Sequence, residues 1–246
     1  MSTTIGKYWF SEVDLNNITV IDEGILEDVC KLYSNDFGVW ADTGNKITLT
    51  PKKFLGLHKH EVVYFVSNRN GDIIGFFSVF TKRQYMIKVI TSGCVKSGYR
   101  DQGIATSLLE YVLSGIHEGG RWRIGCVTPN PVLLLTLESY PGLEYIDLED
   151  EAASDVSFGI QLSIFIDEFR RKSYALRSGR YKKAEEISYK KIDTGFSPEV
   201  LEADIKDGLL EFYQNLMGKL GPDEEWILFC KYEPKFDNTI RKEIRE

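Results

Sequence analysis

Apolar residues follow two spacings along the chain, and the change from one to the other marks the predicted elements. Runs rich in β-branched and aromatic residues predict strands. These runs are residues 62–66, 73–80, 86–95 and 122–127. Apolar residues three to four positions apart predict a helix after the third strand. We expect Gly119 and Gly120 to end this helix. Its apolar positions are Ile104, Leu108, Leu109, Val112, Leu113 and Ile116.

Further elements flank this central segment. A helix over residues 25–33 follows Asp22, which we expect to cap its N-terminus. The sequence Asn-Arg-Asn-Gly-Asp at residues 68–72 predicts the turn between the first two strands. Another helical run, residues 132–137, follows Asn130 and the fourth strand.

The last hundred residues look like an extension to a core formed by residues 1–146. Within this extension, residues 147–246, we predict helices over 157–176 and 198–217. Strands are predicted before Asp193 and over residues 225–231. We expect the last strand to complete the same sheet and domain. The alternative is a small separate subdomain.

One turn carries the most specific chemistry in the sequence. It reads Arg100-x-x-Gly103-x-Ala105, and it lies between the third strand and the following helix. The first amides of a helix have no intrahelical acceptor, and the positive end of the helix dipole lies behind them. A glycine lets the backbone approach a ligand closely. The turn therefore predicts a site for phosphate or pyrophosphate.

The order of these elements is similar to that of a known family. The order is a strand, a Val-x-x-x-Tyr-Arg-x-x-Gly-x-Ala turn, a helix, a second strand, an Asn and a second helix. Over residues 62–146 this order resembles the Gcn5-related N-acetyltransferase (GNAT) superfamily. The matching positions are Val95, Tyr99, Arg100, Gln102, Gly103, Ile104, Ala105 and Asn130. The resemblance implies an α/β (α+β) fold with a mixed, mostly antiparallel central sheet. Two strands of that sheet would splay apart, helices would flank it, and the C-terminal extension would follow. Residues 37–40, 47–51 and 193–196 more loosely resemble uncharacterised fungal acetyltransferase-like proteins.

The resemblance also implies acetyl-CoA as cosubstrate, lying between the strands that end at Val95 and near residue 127. Backbone groups of Cys94 and Val95 would pair with the pantetheine amides, and Asn130 would hydrogen-bond the cofactor arm. A backbone N–H of residues 93–95 would stabilise the oxyanion. The pyrophosphate would lie on Arg100, Asp101, Gln102, Gly103, Ile104, Ala105 and Thr106. For each side chain the alternative is ordinary packing or capping.

The usual catalytic groups of the family are missing from their places. Many relatives carry a Glu on the strand before the turn, whereas residues 73–99 contain no Asp or Glu. Many also use a Tyr seven positions after the Asn to protonate the departing thiolate, and Leu137 occupies that position here. Tyr140 is the nearest phenol and is our candidate acid, with packing as the alternative.

Other polar residues give weaker indications of a base or an acceptor site. His58, His60 and Glu61 could act through water, or could belong to an ordinary loop. Phe37 and Trp40 could form an aromatic lid or pack on the first helix. The acidic residues that could attract a cationic amine, or simply face solvent, are Asp36, Asp42 and Glu144.

Composition excludes several classes of protein. The chain of 246 residues has 30 basic and 37 acidic side chains, and its net charge of −7 argues against a general nucleic-acid binder. The four cysteines are far apart, so we expect reduced core thiols and no metal site. No apolar run approaches the roughly 20 residues that span a bilayer. The N-terminus lacks a secretory design, and we therefore expect a cytoplasmic protein.

We predict an acetyl-CoA-dependent N-acetyltransferase that acts by direct transfer on a primary amine of a small molecule. No nucleic-acid or membrane partner is expected, and the sequence does not predict an oligomeric state. Two alternatives stay open. One is a catalytically silent CoA-binding sensor or interaction module. The other is an acyltransferase that modifies a protein amine or uses a longer acyl-CoA, with the basic segment 170–191 as its docking surface.

Overall fold

The computed structural model describes residues 3–5, 7–18, 20–37, 39–40, 45–116, 119–176, 190–194, 196–197, 208–220 and 224–234. The strands are β1 (Thr3–Ile5), β2 (Tyr8–Asp14), β3 (Val39–Trp40), β4 (Glu61–Ser67), β5 (Ile73–Lys82), β6 (Ile87–Val95), β7 (Trp122–Thr128), β8 (Leu143–Tyr145), β9 (Lys191–Asp193), β10 (Phe196–Ser197) and β11 (Glu224–Tyr232). The α-helices are α1 (Val20–Asp36), α2 (Pro51–His58), α3 (Ile104–Ser114), α4 (Pro131–Glu138), α5 (Leu148–Ser154), α6 (Val156–Leu176) and α7 (Leu209–Met217).

One large sheet organises these elements. Its strands lie in the order β1, β2, β4, β5, β6, β7, β11 and β8, and β9 also pairs with β11. Among the described strands, every pair is antiparallel except β6 with β7. This is the mixed, mostly antiparallel sheet that the sequence predicts. The C-terminal strand β11 lies inside it, beside β7.

The parallel pair β6–β7 separates before either strand ends. Its register runs from Ile87 opposite Arg123 to Ile90 opposite Cys126 and then stops. On the other side of β6 the pairing with β5 continues to Val95, with an irregularity that leaves Thr91 without an opposite residue. The sheet therefore opens as a V from Thr91 onward, as expected for two splayed strands.

Helices cover both faces of the sheet. Alternation along β4 sends Tyr64 and Val66 into a core cluster with α3, α4 and α7, which we call the α3 face. Val63 and Phe65 point the other way, into a cluster with α1 and α2, which we call the α1 face. Farther along that second face, α6 covers β7 and β11, where Ile227 is buried.

Local sequence explains where several elements begin. Asn68 accepts hydrogen bonds from the backbone of Asn70 and Asp72, which closes the predicted turn between β4 and β5. Pro131 occupies the first position of α4, where its missing N–H costs nothing. Asp147 caps α5, and the acidic residues in the first turn of that helix complement its dipole.

Some predicted boundaries were wrong. Helix α1 begins at Val20, so Asp22 lies within its first turn and is not its N-cap. Helix α3 ends at Ser114, earlier than Gly119, because the chain tightens at Gly115, whose N–H bonds to the carbonyl of Leu113. Helix α5 was not predicted. Of the helix predicted over 198–217 only α7 is described, and most of the basic segment 170–191 lies outside the described residues.

All four cysteines are buried and free, as predicted. In the part of the chain that the structure describes, no helix combines the length and apolarity needed to traverse a bilayer.

Candidate active site

The opening between β6 and β7 leads into a cavity of about 450 Å³. Gly93, Cys94 and Val95 of β6 line one wall. Thr128, which ends β7, and Pro129 and Asn130, which follow it, line the wall opposite. The N-termini of α3 and α4 close the cavity on the α3 face of the sheet.

The backbone of β6 presents polar groups to this opening. The N–H of Lys96 donates to the carbonyl of Ile74 in β5. Since N–H and C=O groups alternate in direction along a strand, those of Gly93 and Val95 point away from β5, toward the open side. The carbonyl of Val95 accepts a hydrogen bond from Arg100 there. The N–H and C=O of Gly93 are thus available to an extended ligand.

The turn before α3 has the geometry of an anion site. Gly103 is the N-cap residue of α3 and has a φ of 74°. A Cβ at this position would meet no atom of the chain within 4 Å, so the cavity comes directly against its backbone. Ile104, Ala105 and Thr106 also line the cavity. Their amides are the first of the helix and lack intrahelical acceptors, so this wall suits a pyrophosphate.

Arg100 holds the turn and adds a positive charge. Its Nε donates to the Val95 carbonyl at 3.1 Å, and its Nη2 donates to the Asp36 carbonyl at 3.3 Å. The Asp36 carboxylate accepts from the N–H of Ser97 at 3.0 Å. The C-terminus of α1 is therefore fastened to the turn, and Arg100, Asp36 and Asp101 all line the cavity.

Two predicted cofactor residues have other contacts as well. Gln102 does not line the cavity. Its Oε1 accepts from the Tyr8 hydroxyl at 2.8 Å, and its Nε2 donates to the Gly98 carbonyl at 3.3 Å. Asn130 does line the cavity, while its Oδ1 caps α4 by accepting from the N–H of Val132 at 2.9 Å.

Tyr140 lies away from these walls. It packs at the edge of the α3-face core, and burial, followed by the charge of Glu110 and by Tyr232, raises its pKa. Leu137, at the position of the family's Tyr, is fully buried. The role of Tyr140 as an acid stays a prediction that the geometry does not favour.

The weaker candidates for the acceptor site divide in the same way. Asp36 and Phe37 line the cavity, whereas Glu144 lies in β8 opposite Lys231. Asp42 and the side chain of Trp40 lie outside the described residues.

A buried hydrogen-bond chain, not foreseen as such, lies beside the cavity on the α1 face. His58 ends α2 and Glu61 begins β4, so neither belongs to a loop. The Nδ1 of His58 is 2.9 Å from Oε2 of Glu61, and its Nε2 is 3.2 Å from Oγ of Ser92. Ser78 and Thr91 also donate to the same carboxylate oxygen. The three side chains are connected in the order Ser92–His58–Glu61, and Ser92 directly precedes Gly93.

Glu61 is strongly held in this chain. Burial alone would raise its pKa, but the charge of His58 and hydrogen bonds from His58, Thr91 and Ser78 outweigh it and lower the pKa below the ordinary value. The sequence carried one signal, the spacing of His58 and Glu61 before a strand. Nothing local linked them to residues 91 and 92.

A second buried acid lies near the end of β7. Glu225 is 2% exposed, and burial raises its pKa to about 7 although the Thr194 hydroxyl donates to it at 2.7 Å. The hydroxyl of Tyr33 on α1 is also buried and has no hydrogen-bond partner in the described part of the chain. Burial, and next the charge of Glu225, raises the pKa of Tyr33 well above its usual value.

An anion site at a helix start and an open strand edge beside it fit the pyrophosphate and the extended arm of CoA, as a CoA-dependent acyltransferase needs. Residues 26–130 match the model of the acetyltransferase (GNAT) family. This part of the chain therefore resembles a GNAT acetyltransferase domain, and acetyl transfer from acetyl-CoA is the reaction of that family.

Three acetyltransferases are among the solved structures that the chain resembles at low sequence identity. The ribosomal-protein-S5-alanine acetyltransferase of Vibrio fischeri is 16% identical, with 59% of this chain and 84% of that one aligned and a TM-score of 0.37. A variant of the spermidine N-acetyltransferase of Vibrio cholerae is 13% identical, with 57% of this chain and 81% of that one aligned and a TM-score of 0.39. The diaminobutyrate acetyltransferase of Paenibacillus lautus is 18% identical, with 53% of this chain and 70% of that one aligned and a TM-score of 0.33. No curated protein matches the sequence.

Proposed function

We propose that this protein transfers the acetyl group of acetyl-CoA directly to the primary amine of a small molecule. The observation that carries the proposal is one continuous cavity that joins the N-terminus of α3 to the unpaired edge of β6. A pyrophosphate and an extended amide arm need these two surfaces, and they lie side by side.

The donor would bind along residues whose geometry fits it. The amides of Ile104, Ala105 and Thr106, reached across the bare backbone of Gly103, would hold the pyrophosphate. The backbone groups of β6 would pair with the pantetheine arm as a missing strand would. Asn130 keeps its side-chain amide group for the arm, because only its oxygen is used to cap α4.

Bound there, acetyl-CoA supplies an activated acetyl group near Gly93. The N–H of Gly93 faces the opening and would donate to the acetyl oxygen as negative charge develops on it. The acceptor nitrogen attacks the carbonyl carbon, the C–S bond breaks, and the thiolate leaves. The chain thus provides binding, orientation and charge stabilisation.

The far side of the V suits a small amine. Tyr33, Cys94 and Glu225 on the α1 face are all buried, so the sheet is closely covered on that side. A compact ammonium fits such a place more easily than a polypeptide does. The carboxylate of Asp36 also lines the cavity, 4.0 Å from the guanidinium of Arg100.

Titration calorimetry of CoA and acetyl-CoA tests the donor site. Gly103→Glu places a carboxylate where the pyrophosphate would lie, and we expect it to abolish binding. Gly71→Glu is the matched control, since Gly71 also has a positive φ of 84° and open space around its Cβ, but lies in the β4–β5 turn. Both changes share the backbone strain, about 1–2 kcal/mol. Equal CoA affinity in the two variants would show that the site lies elsewhere.

A thiol-release assay with a panel of amines tests turnover. Small primary amines should release CoA faster than peptides do. A wild-type protein that binds CoA but releases no thiol with any amine would be a silent binder. Release with peptides alone would point to a protein substrate.

A further inference from the structure

Two buried polar groups on the α1 face have no role in binding the donor. Glu225 accepts a hydrogen bond from Thr194, and no cation contacts it among the described residues. The Tyr33 hydroxyl has no partner there at all. Buried polar groups are normally paired, so an unpaired one calls for an explanation. A ligand that donates hydrogen bonds would supply both partners.

The register of the sheet places Glu225 at the opening. Trp226 pairs with Thr128, the last residue of β7, so Glu225 lies beside the point where the chain turns into Pro129. Extending the parallel register beyond Ile90 and Cys126 brings Pro129 near the level of Gly93. Glu225 is therefore level with the part of β6 where the acetyl group would lie.

Its side chain is on the face opposite α3. Trp226 and Leu228 belong to the α3-face core, whereas Ile227 belongs to the other face. By alternation Glu225 points the same way as Ile227. The donor would occupy the α3 face, so Glu225 would lie on the acceptor side of the opening.

Tyr33 connects this acid to the cavity. Its ring stacks on Phe37, with centroids 4.1 Å apart, and Phe37 lines the cavity. After burial, the charges that raise the pKa of Tyr33 come from Glu225, Cys94 and Cys30, and Cys94 lines the cavity too. The Tyr33 hydroxyl is thus within electrostatic reach of both the acid and the wall of the cavity.

We propose that Glu225 is the general base that takes the proton of the acceptor ammonium, with the Tyr33 hydroxyl as a second partner of the same nitrogen. The proposal rests on the proposed function. The ammonium N–H bond breaks and its proton goes to the Glu225 carboxylate. The nitrogen lone pair then forms the C–N bond, the C–S bond breaks, and the thiolate takes the second proton that the nitrogen loses as it becomes an amide. The net products are the N-acetyl amine, CoA thiol and one proton released to solvent.

The properties of Glu225 suit this task better than those of the other buried acid. A general base works best when its pKa is near the operating pH, and that of Glu225 is raised to about 7 by burial. The pKa of Glu61 is lowered, and its one bonded oxygen accepts from three donors. Among the described residues, the titratable groups that interact electrostatically with Glu225 are Tyr33 of α1 on the same face and Cys126 of β7 on the α3 face, and burial raises the pKa of both, which keeps them neutral.

The test compares Glu225→Gln with Glu61→Gln in the full chain. For an alkyl amine we expect Glu225→Gln to lower kcat by about 10²-fold or more and to remove the acidic limb near pH 7 from the profile of kcat/KM. Its CoA affinity should stay within about two-fold of wild type, since Glu225 lies on the other face. Glu61→Gln should keep the acidic limb.

A weakly basic amine, already neutral at the assay pH, separates a base from a structural role. With such an acceptor the loss in Glu225→Gln should shrink to less than about ten-fold, because little deprotonation is needed. Glu225→Asp keeps a carboxylate, so its kcat/KM profile should retain an acidic limb. If Glu225→Gln keeps both the rate with the alkyl amine and the acidic limb, the role of Glu225 as a base is overturned, while the proposed function stands. An equal loss of kcat with both amines has the same consequence. A wild-type chain that binds CoA but acetylates no amine overturns the proposed function as well.

Discussion

The imidazole of His58 lies 2.9 Å from the carboxylate of Glu61, and both side chains are buried. Together with Ser92 they fasten the end of α2 to the irregular point of β6 where the sheet opens. The position of the opening thus depends on a polar contact between elements that are distant in sequence.

Removing His58 should be costly for stability. His58→Ala leaves the Glu61 carboxylate buried without its ring partner, and we expect a loss of about 3 kcal/mol. Urea unfolding measures it. His60→Asn is the control: His60 is exposed with a φ of 74°, a conformation that Asn tolerates, so the change should be within about 0.5 kcal/mol. Equal stability of the two variants would mean that the buried pair contributes nothing.

The pKa of Glu225 predicts an unusual dependence of stability on pH. Because burial raises its pKa from 4.5 to about 7, the folded state holds the proton more tightly than the unfolded state. Its contribution is full below pH 4.5 and is lost as the pH rises through 7. The free energy of unfolding of Glu225→Gln, taken relative to that of wild type, should rise by about 3 kcal/mol between pH 4.5 and pH 8. Urea unfolding at both pH values measures this gain, and a difference that does not change with pH would contradict it.

Tyr33→Phe should separate stability from activity. The hydroxyl is buried without a partner in the described residues, so its removal should raise the free energy of unfolding by about 1 kcal/mol. If the hydroxyl holds the acceptor nitrogen, the KM for the amine rises in the same variant while CoA affinity is unchanged. A less stable Tyr33→Phe protein would show that the hydroxyl is paired in solution.

Gly93 is predicted to tolerate no side chain. A Cβ there would lie 2.4 Å from Cδ1 of Phe77, which is itself buried. Gly93→Ala should therefore lower the free energy of unfolding by about 1–3 kcal/mol. Gly24→Ala is the opposite case, because Gly24 lies on α1 with open space around it. This variant should have a free energy of unfolding higher by about 0.5–1 kcal/mol. Thermal unfolding distinguishes the two, and a stable Gly93→Ala variant would refute the predicted clash.

The lining of the cavity could be predicted from sequence where it consists of consecutive residues. Cys94 to Thr106 form a strand end, a turn and a helix start, and each of these has a local signature. Of the cofactor residues predicted there and at Asn130, only Gln102 does not line the cavity, because its side chain bonds to Tyr8 of a distant strand. A side chain's long-range partner leaves no local trace.

The sequence by itself determined the alternation that makes the strands, the spacing that makes α3 and the free amides at its start, because these depend on neighbours within a few positions. Only the tertiary structure decided that β6 and β7 part after Ile90, that Ser92 meets His58 across 34 positions, and that Glu225 points to the face opposite α3. These features depend on register and burial, which are fixed when distant segments pack together.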